Sequence, residues 1–274
     1  PMKRVRHSVY GLNHLSWTGS VRVDPDEDGT GGEEVFPALL KDENFIQSNH
    51  MSMFDPGLVE WQKSFLNEYL HYFYHRDEAL SALLNKPESR GDETLRLSTA
   101  MLENMRAATS TEGILEAYRE GMGRRGATYM AHARHGAERH KLEPIGDDEE
   151  GYAAVALGCI QAISTGTTLY TGLNVPNRGA IPQMADDDVV EVTCRVDADN
   201  IVPLPVTGIH DDQLRLMQTV KLYERLAAQS ILQRSRELAI EALTVHPLIG
   251  SYPLARLLVN EFLEAHRDLV GEWH

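Results

Sequence analysis

Short stretches near the start alternate apolar with polar residues. Leu15-Ser16-Trp17 and Val21-Arg22-Val23, preceded by the β-prone run Val9-Tyr10-Gly11-Leu12, predict strands. A Gly-rich acidic loop follows from Asp24 to Glu34, then a short helical piece at Pro37-Ala38-Leu39-Leu40 and a loop from His50 to Pro56. Trp61, Phe65, Tyr69, Tyr72 and Phe73 recur at helical spacing and predict one long helix from Pro56 to Leu84. Helices are expected over Asp92 to Arg106 and Thr111 to Glu120, with Gly121 to Thr128 as a basic turn. The apolar run Gly151 to Ile163 predicts a helix. Thr168-Leu169-Tyr170 and Val189-Val190-Glu191-Val192 predict strands, with a turn over Asn174 to Gly179 and an extended Pro203-Leu204-Pro205-Val206. One amphipathic helix is expected from His210 to Leu243, its first turn holding Asp211 and Asp212 where the helix dipole favours them. Pro247 ends it, and Leu254 to Leu269 forms the last helix. The fold class is α+β, a few strands with long helices dominating the second half.

Composition narrows the function classes. The 274 residues carry 26 Lys+Arg against 41 Asp+Glu, a net charge of −15. That balance disfavours nucleic acid as a partner, because a polyanion is repelled. Cys159 and Cys194 are too few for a disulfide scaffold and suit a reducing cytoplasm. No apolar run approaches the roughly 18–20 residues that span a bilayer, so no membrane partner is expected.

Several side chains could carry chemistry. His132, His135 and His140 lie close together without an acidic residue at zincin-like spacing, which suits a solvated face better than a metal site. His14 stands at the end of a predicted strand, where packing and a functional role are both open. Tyr69 is one helical turn from Tyr72 and Phe73; beside a cation, its hydroxyl could act as a base. Arg90, Arg124 and Arg125 stand in Gly-containing segments and could grip a phosphate, or be ordinary surface arginines.

Seven segments, in order along the chain, sharpen this picture. Gly11-Leu12-Asn13-His14-Leu15-Ser16-Trp17 resembles the GLNHLxW motif of glycoside hydrolase family 4. Asn67-Glu68-Tyr69-Leu70-His71-Tyr72-Phe73-Tyr74 is similar to that family's NEYLxYYY segment, and Gly151-Tyr152-Ala153-Ala154-Val155-Ala156-Leu157 to its GYAxVAL helix. Asn174-Val175-Pro176-Asn177-Arg178-Gly179-Ala180-Ile181-Pro182 resembles NVPNxGAIP. Val189 to Val192, Val220 to Leu226 and Ala242 to Leu248 keep the family order. Within the family the resemblance is greatest to the 6-phospho-β-glucosidases. Three positions depart: Leu66 replaces a Pro before NEYL, Thr18-Gly19-Ser20 follows the tryptophan where an arginine is usual, and Gly126-Ala127-Thr128-Tyr129-Met130 replaces GGxxYS.

The resemblance implies a fold similar to the lactate dehydrogenase C-terminal domain, with long helices on a small mixed or antiparallel sheet. Residues 1–274 then form one substrate and oligomerisation domain. A family member also has a nucleotide-binding domain with a Gly-rich turn and a Cys-Asn-x-Pro segment before GLNH; neither is found in these residues, so the chain by itself is expected to bind NAD and metal weakly or not at all, and to be inactive. The implied reaction departs from the two-carboxylate scheme. The sugar is oxidised at C3, a tyrosinate removes the C2 proton, and the aglycone leaves C1, with NAD as hydride acceptor and manganese or another divalent metal as Lewis acid. By motif position His14 is the metal ligand, Tyr69 the catalytic base, and Asn13 and Arg90 substrate-binding residues. The implied partners are a small-molecule glycoside or phosphoglycoside and further copies of the chain, as a dimer or tetramer. Two other readings compete: a stand-alone binding or oligomerisation domain without catalysis, and a malate or lactate dehydrogenase relative, whose His-Asp-Arg set has no convincing match here.

Overall fold

The structure is a computed structural model that describes residues 5–26, 31–47, 49–133 and 152–274. Strands β1 (Val5–Leu12), β2 (Leu15–Val23) and β3 (Glu33–Glu34) come first, then short helices α1 (Phe36–Leu39) and α2 (Glu43–Gln47). A 3-10 turn at His50–Met53 leads to α3 (Pro56–Gln62), β4 (Phe65–Leu66), a second 3-10 turn at Glu68–Leu70, α4 (His71–Tyr74) and α5 (Arg76–Leu84). Next come α6 (Arg90–Ala107), α7 (Thr111–Ala127), α8 (Tyr152–Thr165), β5 (Leu169–Pro176), β6 (Val189–Val196) and β7 (Ile201–Pro203). The chain closes with α9 (Asp211–Gln233), α10 (Arg236–Val245), α11 (Tyr252–Ala265) and α12 (Arg267–Val270). The sheet runs β3-β2-β1-β6-β5, with β4 added to β2 and β7 to β6. Pairing of β1 with β6 is antiparallel and sets Tyr10 opposite Val192 and Gly11 opposite Glu191. The expected mixture of helices with an antiparallel sheet is present.

The described residues divide into two compact units. One falls within Pro1–Arg6, Ser20–Thr171 and Arg195–Val202; the other is His7–Gly19, Gly172–Cys194 and Pro203–His274. In the first, α6 and α7 pack together, joined by only three residues. Gly121 is the reason they approach closely: a Cβ there would lie 2.3 Å from the Met101 Cγ. Glycine in this segment serves helix packing, so the turn expected over Gly121 to Thr128 is instead the continuation of α7 to Ala127.

The second unit builds its core on Leu12, Leu15, Trp17, Val190, Val192 and Met217, all buried. Each such side chain contributes on the order of 1.5–3 kcal/mol. Trp17 stacks on Tyr10, ring centroids 6.1 Å apart, and the Tyr10 hydroxyl donates to buried Gln213 at 2.9 Å. Asn177 explains the NVPNxGAIP segment. Fully buried, it donates to the carbonyls of Ile181 and Met184 and accepts from the Ile181 N–H at 2.7 Å, tying the loop into a knot of backbone bonds. Asn174 to Pro176 belong to β5, so the turn begins later than expected, at Asn177.

Two expected long helices are broken, both at non-glycine residues in the left-handed region. The 56–84 helix stops at Lys63 (φ 49°), because buried Phe65 and Leu66 leave the helix to pair with β2. The Asn67 side chain then accepts from the Tyr69 N–H at 3.0 Å and restarts helical turns. The helix expected from His210 to Leu243 bends at Arg234 (φ 51°) and resumes with Ser235 as cap. The chain end stabilises that bend: His274 donates to the Arg234 carbonyl at 3.0 Å and accepts from the Arg236 N–H at 2.7 Å.

Candidate active site

Asn13 and His14 form the two-residue tip of the β1–β2 hairpin, both exposed, with His14 at φ 59°. The tip is held from β6. The Glu191 carboxylate accepts from the His14 backbone N–H at 2.9 Å and from Ser16 Oγ at 3.4 Å, which it can do because Gly11 sits opposite Glu191 in register. Asn13 Oδ1 accepts from the Asn174 side chain at 3.3 Å. Asn13, His14, Asn174 and Glu191 thus come together in the second unit from three motif segments. Glu191 was passed over in the sequence, where Val189 to Val192 reads only as a strand.

Tyr69 belongs to the first unit, in the 3-10 turn Glu68–Leu70. Its partner is Tyr129, in the turn that ends α7. The Tyr129 hydroxyl donates to the Tyr69 oxygen, and the Glu68 carboxylate lies within 2.8 Å of the same Tyr129 oxygen. Burial first, then the hydrogen bonds with Tyr69 and Glu68, pushes the Tyr129 hydroxyl well above the usual tyrosine range. Tyr129 therefore keeps its proton. Tyr72 is raised as well, by burial and then by Tyr69 and Glu68, and it donates to Met130 Sδ at 3.1 Å. Arg90 opens α6. Its Nη1 donates to Glu93 at 2.8 Å and to Thr128 Oγ1 at 2.6 Å, and its Nη2 to the Arg125 carbonyl at 3.2 Å. The guanidinium joins the start of α6 to the end of α7 and holds the Glu93 carboxyl below its usual range. Tyr129 and Glu68 were missed as site residues; Glu68 lies in a segment that carries the resemblance, whereas Tyr129 lies in one that departs from it.

Of the three grouped histidines, His135 and His140 lie outside the described residues. His132 is not on a solvated face: it is half-buried, its ring 5.7 Å from Tyr72 and 6.4 Å from His71. His71 also stacks on His75, ring centroids 5.0 Å apart. Burial, with the nearby His75 second, lowers His71 to about 4. A histidine lowered on folding stabilises the fold fully above the unfolded value of about 6.5 and loses that contribution as pH falls toward the folded value. For His71 the loss runs from pH ~6.5 to ~4 and is on the order of 2 kcal/mol after allowing for screening. His7, His132 and His246, also lowered by burial, act in the same direction. Urea unfolding at pH 7.5 and 4.5 should show the loss, and His71→Gln should reduce its pH dependence. Equal pH dependence in the two proteins would refute this account.

Among the described residues, no three His, Cys, Asp or Glu side chains are grouped to hold a metal. The hairpin tip offers one imidazole and two amides, with Glu191 engaged by backbone and Ser16. That donor set fits a single ligand's share of a divalent site and not a whole one. No helix among the described residues is long and apolar enough to cross a membrane.

The mixed helix-and-sheet fold and the order of the segments around these groups match one family of domains. A family model described as the family 4 glycosyl hydrolase C-terminal domain matches residues 9–249, and the chain belongs to that family. It is 30% identical over 262 residues to the 6-phospho-beta-glucosidase BglT of Thermotoga maritima, covering 95% of this chain and 54% of the relative. To a probable 6-phospho-beta-glucosidase of Bacillus subtilis it is 25% identical over 280 residues, covering 98% and 55%. The solved 6-phospho-beta glucosidase from Thermotoga maritima with NAD and glucose-6-phosphate superposes with TM-score 0.69 at 24% identity, over 96% of this chain and 55% of that one. A 6-phospho-alpha-glucosidase from gut microorganisms with NAD and Mn2+ gives TM-score 0.65 at 21% identity, over 98% and 55%. These two likenesses are of fold. The chain spans about half the length of the curated relatives it matches.

Proposed function

We propose that this chain forms the sugar-binding half of an NAD- and divalent-metal-dependent glycosidase acting on 6-phosphoglycosides. The observation that carries the reading is the Tyr69–Tyr129 hydroxyl pair beside Glu68, a tyrosine oxygen with a donor built against it. When bound, NAD and the metal supply oxidation at C3 and a Lewis acid that together acidify the C2 proton. Tyr69 takes that proton while Tyr129 retains its own. His14 contributes one imidazole ligand, and Asn13 beside it meets a sugar hydroxyl. The resemblance implies that the remaining ligands and the NAD fold belong to a separate nucleotide-binding domain. Cytoplasmic location and self-association belong to the same reading, the latter supported by exposed Ile231, Leu232, Leu257 and Phe262 on the C-terminal helices.

The test is isotope exchange. The protein carrying this chain is incubated with a p-nitrophenyl 6-phospho-β-glucoside, NAD and Mn2+ in deuterium oxide. Sugar product labelled at C2, dependent on both additions, is expected. Turnover without C2 label would overturn the elimination chemistry, and no turnover would favour a non-catalytic domain.

Arg90 as the phosphate contact is part of this proposal. The Arg90 guanidinium is ion-paired with Glu93 and bonded to Thr128 and the Arg125 carbonyl, so a phosphate would have to share or displace those bonds. Arg90→Lys is then expected to raise KM about 10-fold for a phosphorylated glycoside and under about 2-fold for its unphosphorylated counterpart. Equal changes on both substrates would mark Arg90 as a clamp between helices and nothing more.

A further inference from the structure

We infer that Tyr129 is a positioning residue for the proposed base, switching its single hydroxyl proton between Tyr69 and Glu68 as the reaction proceeds. This rests on the assignment of Tyr69 given above. The geometry is the argument. The Tyr129 oxygen lies in hydrogen-bond reach of two acceptors, the Tyr69 oxygen and Glu68 Oε1 at 2.8 Å, and a phenol has one proton to donate. With Tyr69 ionised, that proton turns to the Tyr69 phenolate and forms a charge-assisted bond. When Tyr69 takes the C2 proton, the electron pair of the broken C–H bond stays on the sugar. Tyr69 O–H then donates to the Tyr129 oxygen, and the Tyr129 proton turns to the Glu68 carboxylate. No proton is gained or lost by the trio beyond the one Tyr69 takes.

Two features hold the switch in register. Glu68 and Tyr69 are neighbours in a turn fixed by Asn67, whose side chain accepts from the Tyr69 N–H. Tyr129 is held at the end of α7, where Arg90 bonds to Thr128 Oγ1 and the Arg125 carbonyl and where the Tyr129 N–H bonds to the Gly126 carbonyl at 3.0 Å. Among the described residues, the titratable and charged groups around Tyr69 include Glu68, Tyr72 and Tyr129, with Arg90 and its partner Glu93 beyond them.

The test compares pH profiles of kcat/KM in the protein carrying this chain, with NAD, Mn2+ and a p-nitrophenyl 6-phospho-β-glucoside. Tyr129→Phe removes the donor and is expected to move the acid limb up by about one pH unit, a roughly 10-fold loss below the limb that recovers at high pH. KM should change little. Glu68→Gln removes the competing anion and is expected to move the limb the opposite way. Opposed shifts are not the signature of damaged packing. An unmoved limb in either variant, or shifts in the same direction, would overturn the switch. Should Tyr129→Phe fail to fold, the downward shift in Glu68→Gln still decides. Tyr69→Phe separates the two levels of the argument. If it stays active, the base assignment itself falls; if it is inactive while Tyr129→Phe keeps the parent profile, only the switch falls.

Discussion

Tyr69→Phe is expected to lower kcat by about 10²–10⁴-fold, with KM within about 3-fold and the fold intact. The substitution removes one oxygen from a half-buried ring and keeps its volume. The structural cost includes the hydrogen bond to Tyr129, about 1 kcal/mol. The chemical cost is far larger, because the ring that remains has no atom able to take a proton from carbon. Two other tyrosine hydroxyls are near at hand, and neither is suited to replace it: Tyr129 is held protonated by burial and its two partners, and Tyr72 is raised by burial and occupied with Met130. Deuterium incorporation at C2 should fall in parallel with kcat. Activity within about 3-fold of the parent enzyme, at any pH, would sink the assignment.

Gly11→Ala is expected to be the most damaging small change to stability in the second unit. Gly11 has φ 147°, a conformation closed to side chains. A Cβ built there lies 2.3 Å from the Leu15 carbonyl oxygen and 2.5 Å from the Ser16 Cα, both backbone atoms across the hairpin, so no rotamer change relieves the clash. The hairpin must open, and its opening strains the Glu191 grip on His14 and Ser16. A cost of roughly 3 kcal/mol or more in urea unfolding follows, together with loss of whatever affinity the tip has for its ligands. Gly172→Ala is the control: its Cβ would meet only the Val9 Cβ, at 4.0 Å, and should change stability by under about 1 kcal/mol. A Gly11→Ala protein within about 0.5 kcal/mol of the parent would refute the steric reading.

The sequence by itself determined the elements whose periodicity is local. The amphipathic pattern of α9 and its Asp211 and Asp212 start, the β-prone run of β1, the alternation of β2 and the β-branched content of β6 are all readable from near neighbours. It also marked His14, Tyr69 and Arg90 as candidates by strand-end position, helical spacing and charge, and the family resemblance then gave them and Asn13 their expected roles. Tertiary structure decided where helices stop. Lys63 and Arg234 carry no breaker signal, and each adopts the left-handed region because something distant pulls the chain aside: β2 captures Phe65 and Leu66, and His274 bonds on both sides of Arg234. Tertiary structure decided the partners of the candidate groups as well. Glu191 reaches His14 across 177 positions, and Tyr129 reaches Tyr69 across 60. The physical reason is the same in each case. Helical and strand periodicity is a property of a few consecutive residues, whereas a hydrogen bond between two hydroxyls depends on ångström-level placement of elements that only packing brings together. Here that placement comes from the Arg90 bonds between the start of α6 and the end of α7, and from the Asn67 cap beneath Tyr69.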